Sequence, residues 1–282
     1  MNGFYKSIYN MMNYTIHRCK RLDSTDVFLV IYDDHRAILP VLWEARRTGV
    51  IDDLATLMIW DAHIDAAIVK NEIENASTKL AKDSTLQDAY CYASLSVGSN
   101  DGSWIIPAME AGLVGEVVYS YRQHDISADK QEYEDSSGRL HRFYDIGSVR
   151  SSLEHQGSLV DVVCHEKHQT LWNALSWDAG KCSFTDNPNL VLDIDLDAFF
   201  FRGTHGKYVW REEMFVDEFA HRFPNAPSDH VPSVDFFLQM LLSKVRLITI
   251  AREPQMMHSQ MEMHEIWSNI NRYVLRHLSK CS

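Results

Sequence analysis

The sequence predicts an α/β domain built on a mostly parallel sheet covered on both faces, and three observations carry that prediction. The continuous apolar, β-branched run Val27–Tyr32 reads as a strand covered on both faces, Thr56–Trp60 as a second buried strand and Val245–Ala251 as the last clear strand. Stretches with helical spacing separate them, as in α/β rather than all-β chains. Each run also ends in ionisable residues, and open α/β sheets place their ligands at the carboxyl ends of strands.

The bulk numbers fit one domain. A chain of 282 residues that is 45% hydrophobic can bury one large core. We read residues 1–282 as a single domain, with 1–25 as an N-terminal extension and 122–140 as a surface loop insertion. Lys+Arg 27 against Asp+Glu 39 leaves a net charge of −12, which argues against nucleic acid and anionic membranes as partners and for cationic ligands or metals. The 5 cysteines (Cys19, Cys91, Cys164, Cys182, Cys281) show no paired spacing, so no disulfide framework is expected and a cytoplasmic setting is. No long apolar run or signal-like start appears, which reads as a soluble protein.

Taken in order, the first run delivers Asp33-Asp34-His35 to a helix over 37–47, with Ile38, Val41, Leu42 and Ala45 as its core face and Gly49 as its C-terminal cap. The second runs into Asp61-Ala62-His63-Ile64-Asp65. If the extended conformation persists, Asp61, His63 and Asp65 share one face. Residues 66–100 read as polar helix and loop, 104–111 as a short helix, and 115–120 as a further strand. Ser136-Ser137-Gly138 signals a turn. Cys164 and His168 would share a helical face, and His17-x-Cys19 is a lone pair; neither has the second pair of ligands that a zinc site needs.

Asn189 to Phe200 is the most informative stretch. Asp193, Asp195 and Asp197 alternate with Leu192, Ile194 and Leu196, so an extended strand has one acidic and one apolar face. Burying such a row without countercharge is costly, so the carboxylates are protonated, solvated or held by cations. The apolar flanks favour cations, and oxygen ligands select hard ions. Beyond it, Arg202-Gly203-Thr204-His205-Gly206 reads as a loop, 208–222 and 232–244 as helices, the second with Val234, Phe237, Leu238, Met240 and Leu241 inward. The final strand delivers Arg252-Glu253-Pro254 to the same sheet edge, and 265–278 reads as a closing amphipathic helix.

This order of strand-end motifs resembles the arginase/deacetylase superfamily. Asp34-His35 is similar to the end of its Gly-Gly-Asp-His motif, Asp61-Ala-His63-Ile-Asp65 matches its Asp-Ala-His-x-Asp motif, and Leu192 to Ala198 resembles its Ser-x-Asp-x-Asp-Ala motif with Asp193 in the serine's place. The likeness covers residues 26–66 and 186–254. It implies a three-layer α-β-α fold and two metal ions, Mn(II) by preference. Asp61 and Asp195 would bridge them, His35 and Asp65 completing one shell and His63 and Asp197 the other. The wording Leu-Asp-Ile-Asp-Leu-Asp-x-Phe and Ile-Ala-Arg-Glu-Pro resembles a branch with peptide arginases, which release urea from arginine side chains of precursor peptides and leave ornithine.

The resemblance further implies an arginine-containing precursor peptide as partner, Glu253 as the catalytic and substrate-binding carboxylate that pairs with the guanidinium, and Asp193 as a catalytic-centre residue orienting a ligand such as His63. Direct metal contact by Asp193 is the competing assignment. The stretch 97–104 lacks the histidine that arginases use to move protons, leaving His124, His205 or His258 as substitutes. Three other readings stay open: a ureohydrolase of free arginine or agmatine, a zinc deacylase of the same fold, and a metal-binding interaction protein without catalysis. No oligomeric state is implied.

Overall fold

The computed structural model describes residues 2–11, 14–20, 26–98, 103–121, 132–145, 148, 177–178, 183–184, 189–203, 206–220, 234–254 and 259–278. An 8-stranded sheet forms its centre. In chain order its strands are β1 (Thr15–Lys20), β2 (Asp26–Tyr32), β3 (Ala55–Trp60), β4 (Val114–Ser120), β5 (Glu132–Glu134) and β6 (Leu140–Asp145). After the two-residue pair β7 (Trp177–Asp178) and β8 (Ser183–Phe184) come β9 (Leu190–Asp195), the hairpin β10 (Phe200–Gly203) and β11 (Gly206–Val209), and β12 (Leu247–Ala251). Spatial order in the sheet is β1-β2-β12-β9-β3-β4-β6-β5. Neighbours from β2 through β6 run parallel, and the edge strands β1 and β5 pair antiparallel.

Helices cover both faces, because strands buried on two sides present apolar side chains in both directions. One face carries Val27, Leu29, Met58, Leu192 and Ile250 against α6 (Glu212–Phe219), α7 (Val234–Lys244) and α8 (Gln260–Asn269), which supply Phe215, Leu238 and Ile266. The opposite face carries Phe28, Val30, Leu57, Ile59 and Val191. It packs against α1 (Asn2–Tyr9), α2 (Ile38–Arg47), α3 (Lys70–Lys79), α4 (Leu86–Leu95) and α5 (Ile105–Glu110). The three-layer α/β architecture is thus the one the apolar runs predicted.

Several boundaries differ from the sequence reading, each for a local reason. The segment taken as an N-terminal extension supplies α1 and the edge strand β1, with Phe4, Ile8 and Ile16 in the core. Helix α2 buries Leu39, Pro40, Trp43 and Glu44 as well as its expected face, Glu44 being neutralised by Arg47 at 2.6 Å. The glycines of the stretch expected as a loop end two antiparallel strands, Gly203 facing Gly206, and β11 displaces the start of the helix expected at 208 to Glu212. The closing helix starts at Gln260, capped by the Ser259 hydroxyl, and ends in a wide turn over Ile270–Val274 and a tight one over Leu275–His277.

The turn expected around Ser136 links β5 to β6, with Gly138 at φ 83. Residues 122–131 of the expected insertion lie outside the described residues, as do Cys164, His168 and the side chain of Met240. Where the sequence reading expected no disulfide framework, Cys91 is a free thiol and Cys19 is disulfide-bonded. Among the described residues no helix is long and apolar enough to cross a membrane.

Candidate metal centre

The register of four adjacent strands brings the ionisable strand ends to one place. Ala251 of β12 lies beside Tyr32 of β2 and Asp195 of β9, and Trp60 of β3 lies beside Ile194. The residues that follow these ends, His35, Asp61 and Glu253, therefore emerge together above the middle of the sheet, around Asp193 and Asp195.

The local geometry is made by turns more than by extended strand. Asp34 caps the short turn His35–Ala37, its Oδ1 accepting from Arg36 N at 3.0 Å, which aims the His35 ring inward. Strand β3 stops at Trp60. Asp61 Oδ1 then accepts the His63 backbone N–H at 2.6 Å, and Asp65 takes a left-handed conformation at φ 48. Likewise β9 ends at Asp195, whose Oδ1 accepts Asp197 N at 3.1 Å as it caps the turn Leu196–Phe199. The expected alternation along a continuing strand is thus replaced in both motifs by an aspartate folding back on the backbone two residues on.

The result is a tight acidic cluster. His35 Nδ1 lies 2.8 Å from Asp65 Oδ2, 3.1 Å from Asp195 Oδ2 and 3.6 Å from Asp61 Oδ2. His63 Nδ1 lies 2.9 Å from Asp197 Oδ2 and 3.7 Å from Asp61 Oδ1. Three trios can each surround one ion with atoms within 4.8 Å of one another: His35, Asp61 and Asp65; Asp61, His63 and Asp197; His35, Asp195 and Glu253. The first two bring together residues expected on each side of the site, with Asp61 common to both. Asp195 shares a trio with His35 but none with His63 or Asp197, so its bridging role is not visible in these distances.

Charge and burial oppose each other here. Burial, then the carboxylates of Asp65, Asp197 and Asp195, push the Asp61 carboxyl well above the usual range. Burial, Asp197 and Glu253 do the same to Asp195. Burial would lower His35, but Asp193 and Asp65 carry it well above an ordinary imidazole. Asp65 is also penalised by burial, yet His35 and the Trp104 indole bring it below the usual range. His63, half-exposed at the mouth, is lifted to about 9 by its contact with Asp197.

One of these oxygens tests whether cations fit. Asp61 Oδ2 is buried without any hydrogen-bond donor, the His35 Nδ1 lying 3.6 Å away. Buried carboxylate oxygens that lack donors are expensive unless a cation takes the donor's place. All-oxygen and imidazole donors suit Mn, Mg or Zn, and the donor set fits such ions.

Asp193 is placed differently from expectation. Its Oδ2 meets His35 Nε2 at 2.6 Å, so it supports His35 and not His63. The reason is depth: it sits mid-strand, one pleat below Asp195, under the His35 ring. Its other oxygen accepts from Thr249 Oγ1 at 2.5 Å and from Tyr32 OH at 3.2 Å. With both oxygens engaged, it is not arranged as a metal ligand. Glu253 is half-buried, with φ 39, and its Oε1 accepts weakly from His35 N at 3.4 Å. Burial foremost, with Asp197 and Asp65 against the pull of His35, raises it to about 7.

Sequence reasoning missed Trp104, whose Nε1 donates to Asp65 Oδ2 at 2.7 Å and whose ring stacks obliquely 5.2 Å from His35. Its position just before α5 carried no signal of this. Glu72 was missed too: buried in α3, it accepts from Gly98 N at 2.8 Å and from the Ser103 hydroxyl, pinning the segment that delivers Trp104. His124, His205 and His258 lie outside the described residues.

No protein-family model matches this chain, and no curated protein matches it. Solved structures similar to it include an amidino hydrolase and an arginase. One is proclavaminate amidino hydrolase from Streptomyces clavuligerus, 11% identical with a TM-score of 0.42, the match covering 88% of this chain and 62% of that one. The other is Helicobacter pylori arginase, 12% identical with a TM-score of 0.35, covering 88% of this chain and 71% of that one. This chain spans less than two thirds of the length of the first.

Proposed function

We propose that this chain is a binuclear Mn(II) hydrolase that releases urea from arginine side chains of a peptide, leaving ornithine. The observation that carries the reading is Asp61, shared by two ligand trios on successive strand ends with one oxygen buried and undonated. The motif order resembling the arginase/deacetylase superfamily supports the reaction class, and the wording around Asp193 and Glu253 supports the peptide substrate.

When bound, paired divalent ions supply Lewis acidity and activate water at neutral pH. This chain's own residues do the rest. Asp61, Asp65, Asp195 and Asp197 balance the cation charge with four carboxylates, and His35 and His63 complete the two shells. Glu253, near the cluster, offers a guanidinium two parallel acceptors, a geometry that suits its planar fork of donors.

The test is incubation with Mn(II) and, separately, an arginine-containing peptide and free arginine. Urea release with a mass loss of about 42 Da per arginine is expected on the peptide. Faster turnover of free arginine would assign a small-molecule ureohydrolase instead. Loss of an acyl group from an acyl-lysine peptide would assign the deacylase, and tight metal binding with no product from any substrate would leave an interaction protein.

A further inference from the structure

Resting on the reading of His35 as a metal ligand, we propose that Asp193, gripped by Thr249 and Tyr32, is a positioning residue that dictates which His35 nitrogen faces the cations. Asp193 is fully buried, and its two oxygens are committed in opposite directions. Oδ2 lies 2.6 Å from His35 Nε2. Oδ1 receives the Thr249 hydroxyl at 2.5 Å and the Tyr32 hydroxyl at 3.2 Å. A carboxylate only accepts, so the Nε2 facing it carries a proton. Nδ1, 2.8, 3.1 and 3.6 Å from Asp65, Asp195 and Asp61, is then the nitrogen that would give up its proton to a cation held among those carboxylates.

The grip comes from the sheet. Thr249 of β12 stands directly opposite Asp193 in β9 and opposite Val30 in β2, so its hydroxyl reaches Asp193 from the adjoining strand. Tyr32, two residues beyond Val30, is completely buried and hydrogen-bonds Asp193 from the next strand over. Two hydroxyl protons aimed at one oxygen make Asp193 asymmetric: one end must accept from hydroxyls, the other must hold imidazole.

That asymmetry makes a near-isosteric substitution informative. In Asp193→Asn, keeping the amide oxygen under Thr249 and Tyr32 points its NH₂ at His35, which forces the proton onto Nδ1 and blocks the ligand. Turning the amide over restores His35 but leaves two buried hydroxyl protons without an acceptor. Either way cation affinity falls. Removing both hydroxyls abolishes the conflict, because the amide is then free to present oxygen to Nε2.

The experiment is calorimetric titration of Mn(II) and Zn(II) into the full chain and its variants. Asp193→Asn should weaken binding by about 10- to 100-fold, the range seen when partners of metal-ligating histidines are removed. The triple variant Asp193→Asn/Thr249→Val/Tyr32→Phe should recover most of that loss. Unchanged affinity in Asp193→Asn would overturn the proposal, and so would a loss that the triple variant does not rescue, which is the mark of a merely structural role. If Asp193→Asn does not fold, nitrogen NMR of the unaltered zinc-loaded protein decides: a proton on His35 Nε2 supports the proposal and one on Nδ1 overturns it. Urea enters neither measurement, so a failed hydrolase reading and a failed positioning role are separately visible. If the unaltered protein binds neither ion, the ligand reading falls and this proposal with it.

Discussion

Two buried clusters in this molecule combine aspartate with histidine, and they are built on opposite logic. At the far edge of the sheet, Asp135 Oδ1 accepts Ser137 N, Ser137 Oγ and Arg139 N at 2.9, 2.6 and 2.9 Å, and Oδ2 lies 3.0 Å from His141 Nε2. The remaining nitrogen of His141 reaches the Gly115 carbonyl of β4 at 2.8 Å. Burial would raise Asp135, but these donors draw it well below the usual carboxylate range. Donors and acceptors balance, and the hairpin β5–β6 is pinned to β4. Above β9 the balance fails: carboxylates outnumber donors, and Asp61 Oδ2 has none. Burial and charge are common to both places; a shortage of donors is what marks a site that waits for cations.

The sharpest way to break that contrast is to neutralise one member of each cluster. Asp61→Asn should lower Mn(II) affinity about 1000-fold, roughly 4 kcal/mol, because both ligand trios lose a shared oxygen. Yet the metal-free variant should melt no lower than the unaltered protein, since a repelled and undonated carboxylate has been removed. A metal titration paired with melting in a chelator measures both. A lowered metal-free melting point would mean that the two clusters are stabilised alike.

The mirror experiment is Asp135→Ala. It strips the acceptor from His141, the Ser137 hydroxyl and two backbone N–H groups at once, and should cost about 3 kcal/mol of stability with metal affinity untouched. Denaturant unfolding checks the first half and calorimetry the second. An altered metal affinity would connect two regions that the sheet keeps apart.

How much of this was legible in the sequence follows the same divide. The parallel sheet was, because a run such as Val27–Tyr32 has no charged or strongly polar position, and that pattern has few structural solutions. The meeting of the acidic strand ends was, because Asp61, His63, Asp65, Asp195 and Asp197 sit at the ends of strands. Their conformations were not: the backbone turns at Asp61 and Asp195 replace the strand alternation, since a short carboxylate captures a backbone N–H two residues on. Long-range partners were also hidden. Nothing near Asp193 announces that its imidazole is His35, 158 residues earlier, or that Trp104 supports Asp65. Such contacts are created by strand order, and β9 enters the sheet between β12 and β3, far from its sequence neighbours.

Backbone strain offers a subtler separation of the two regions. Glu253 at φ 39 and Asp65 at φ 48 occupy a region that side chains with a Cβ avoid, and both belong to the acidic cluster. Glu253→Gly should stabilise the metal-free protein by about 1 kcal/mol, because glycine adopts that conformation freely and a buried carboxyl is removed. Urea production should fall at the same time. Leu54, at φ 58 and away from the cluster, is the control: Leu54→Gly relieves strain without removing any group of the site. Denaturant melts with a urea assay on both variants read the outcome, and activity surviving in Glu253→Gly would remove this carboxylate from substrate binding.

The smallest expected effect concerns an ion pair that neither cluster contains. Asp26 at the start of β2 lies opposite Lys20 of β1, whose Nζ is 2.8 Å away, and it also pairs with Arg18. Hydrogen bonds from Arg18 and then Lys20 hold its carboxyl down at about 2, against a smaller opposing effect of burial. Because the folded value lies below the unfolded one, the stabilisation is complete above the ordinary carboxyl range near 4 and fades as pH falls toward about 2. Both cations reach into solvent, so the pair is worth only about 0.5 kcal/mol and weakens with salt. Melting of Asp26→Asn against the unaltered chain should show this gap at neutral pH and none near pH 2. A gap that persists in acid would mean that the side chain acts through packing, as Asp135 does through its donors, and that partly wet and fully buried aspartates in this sheet obey one rule.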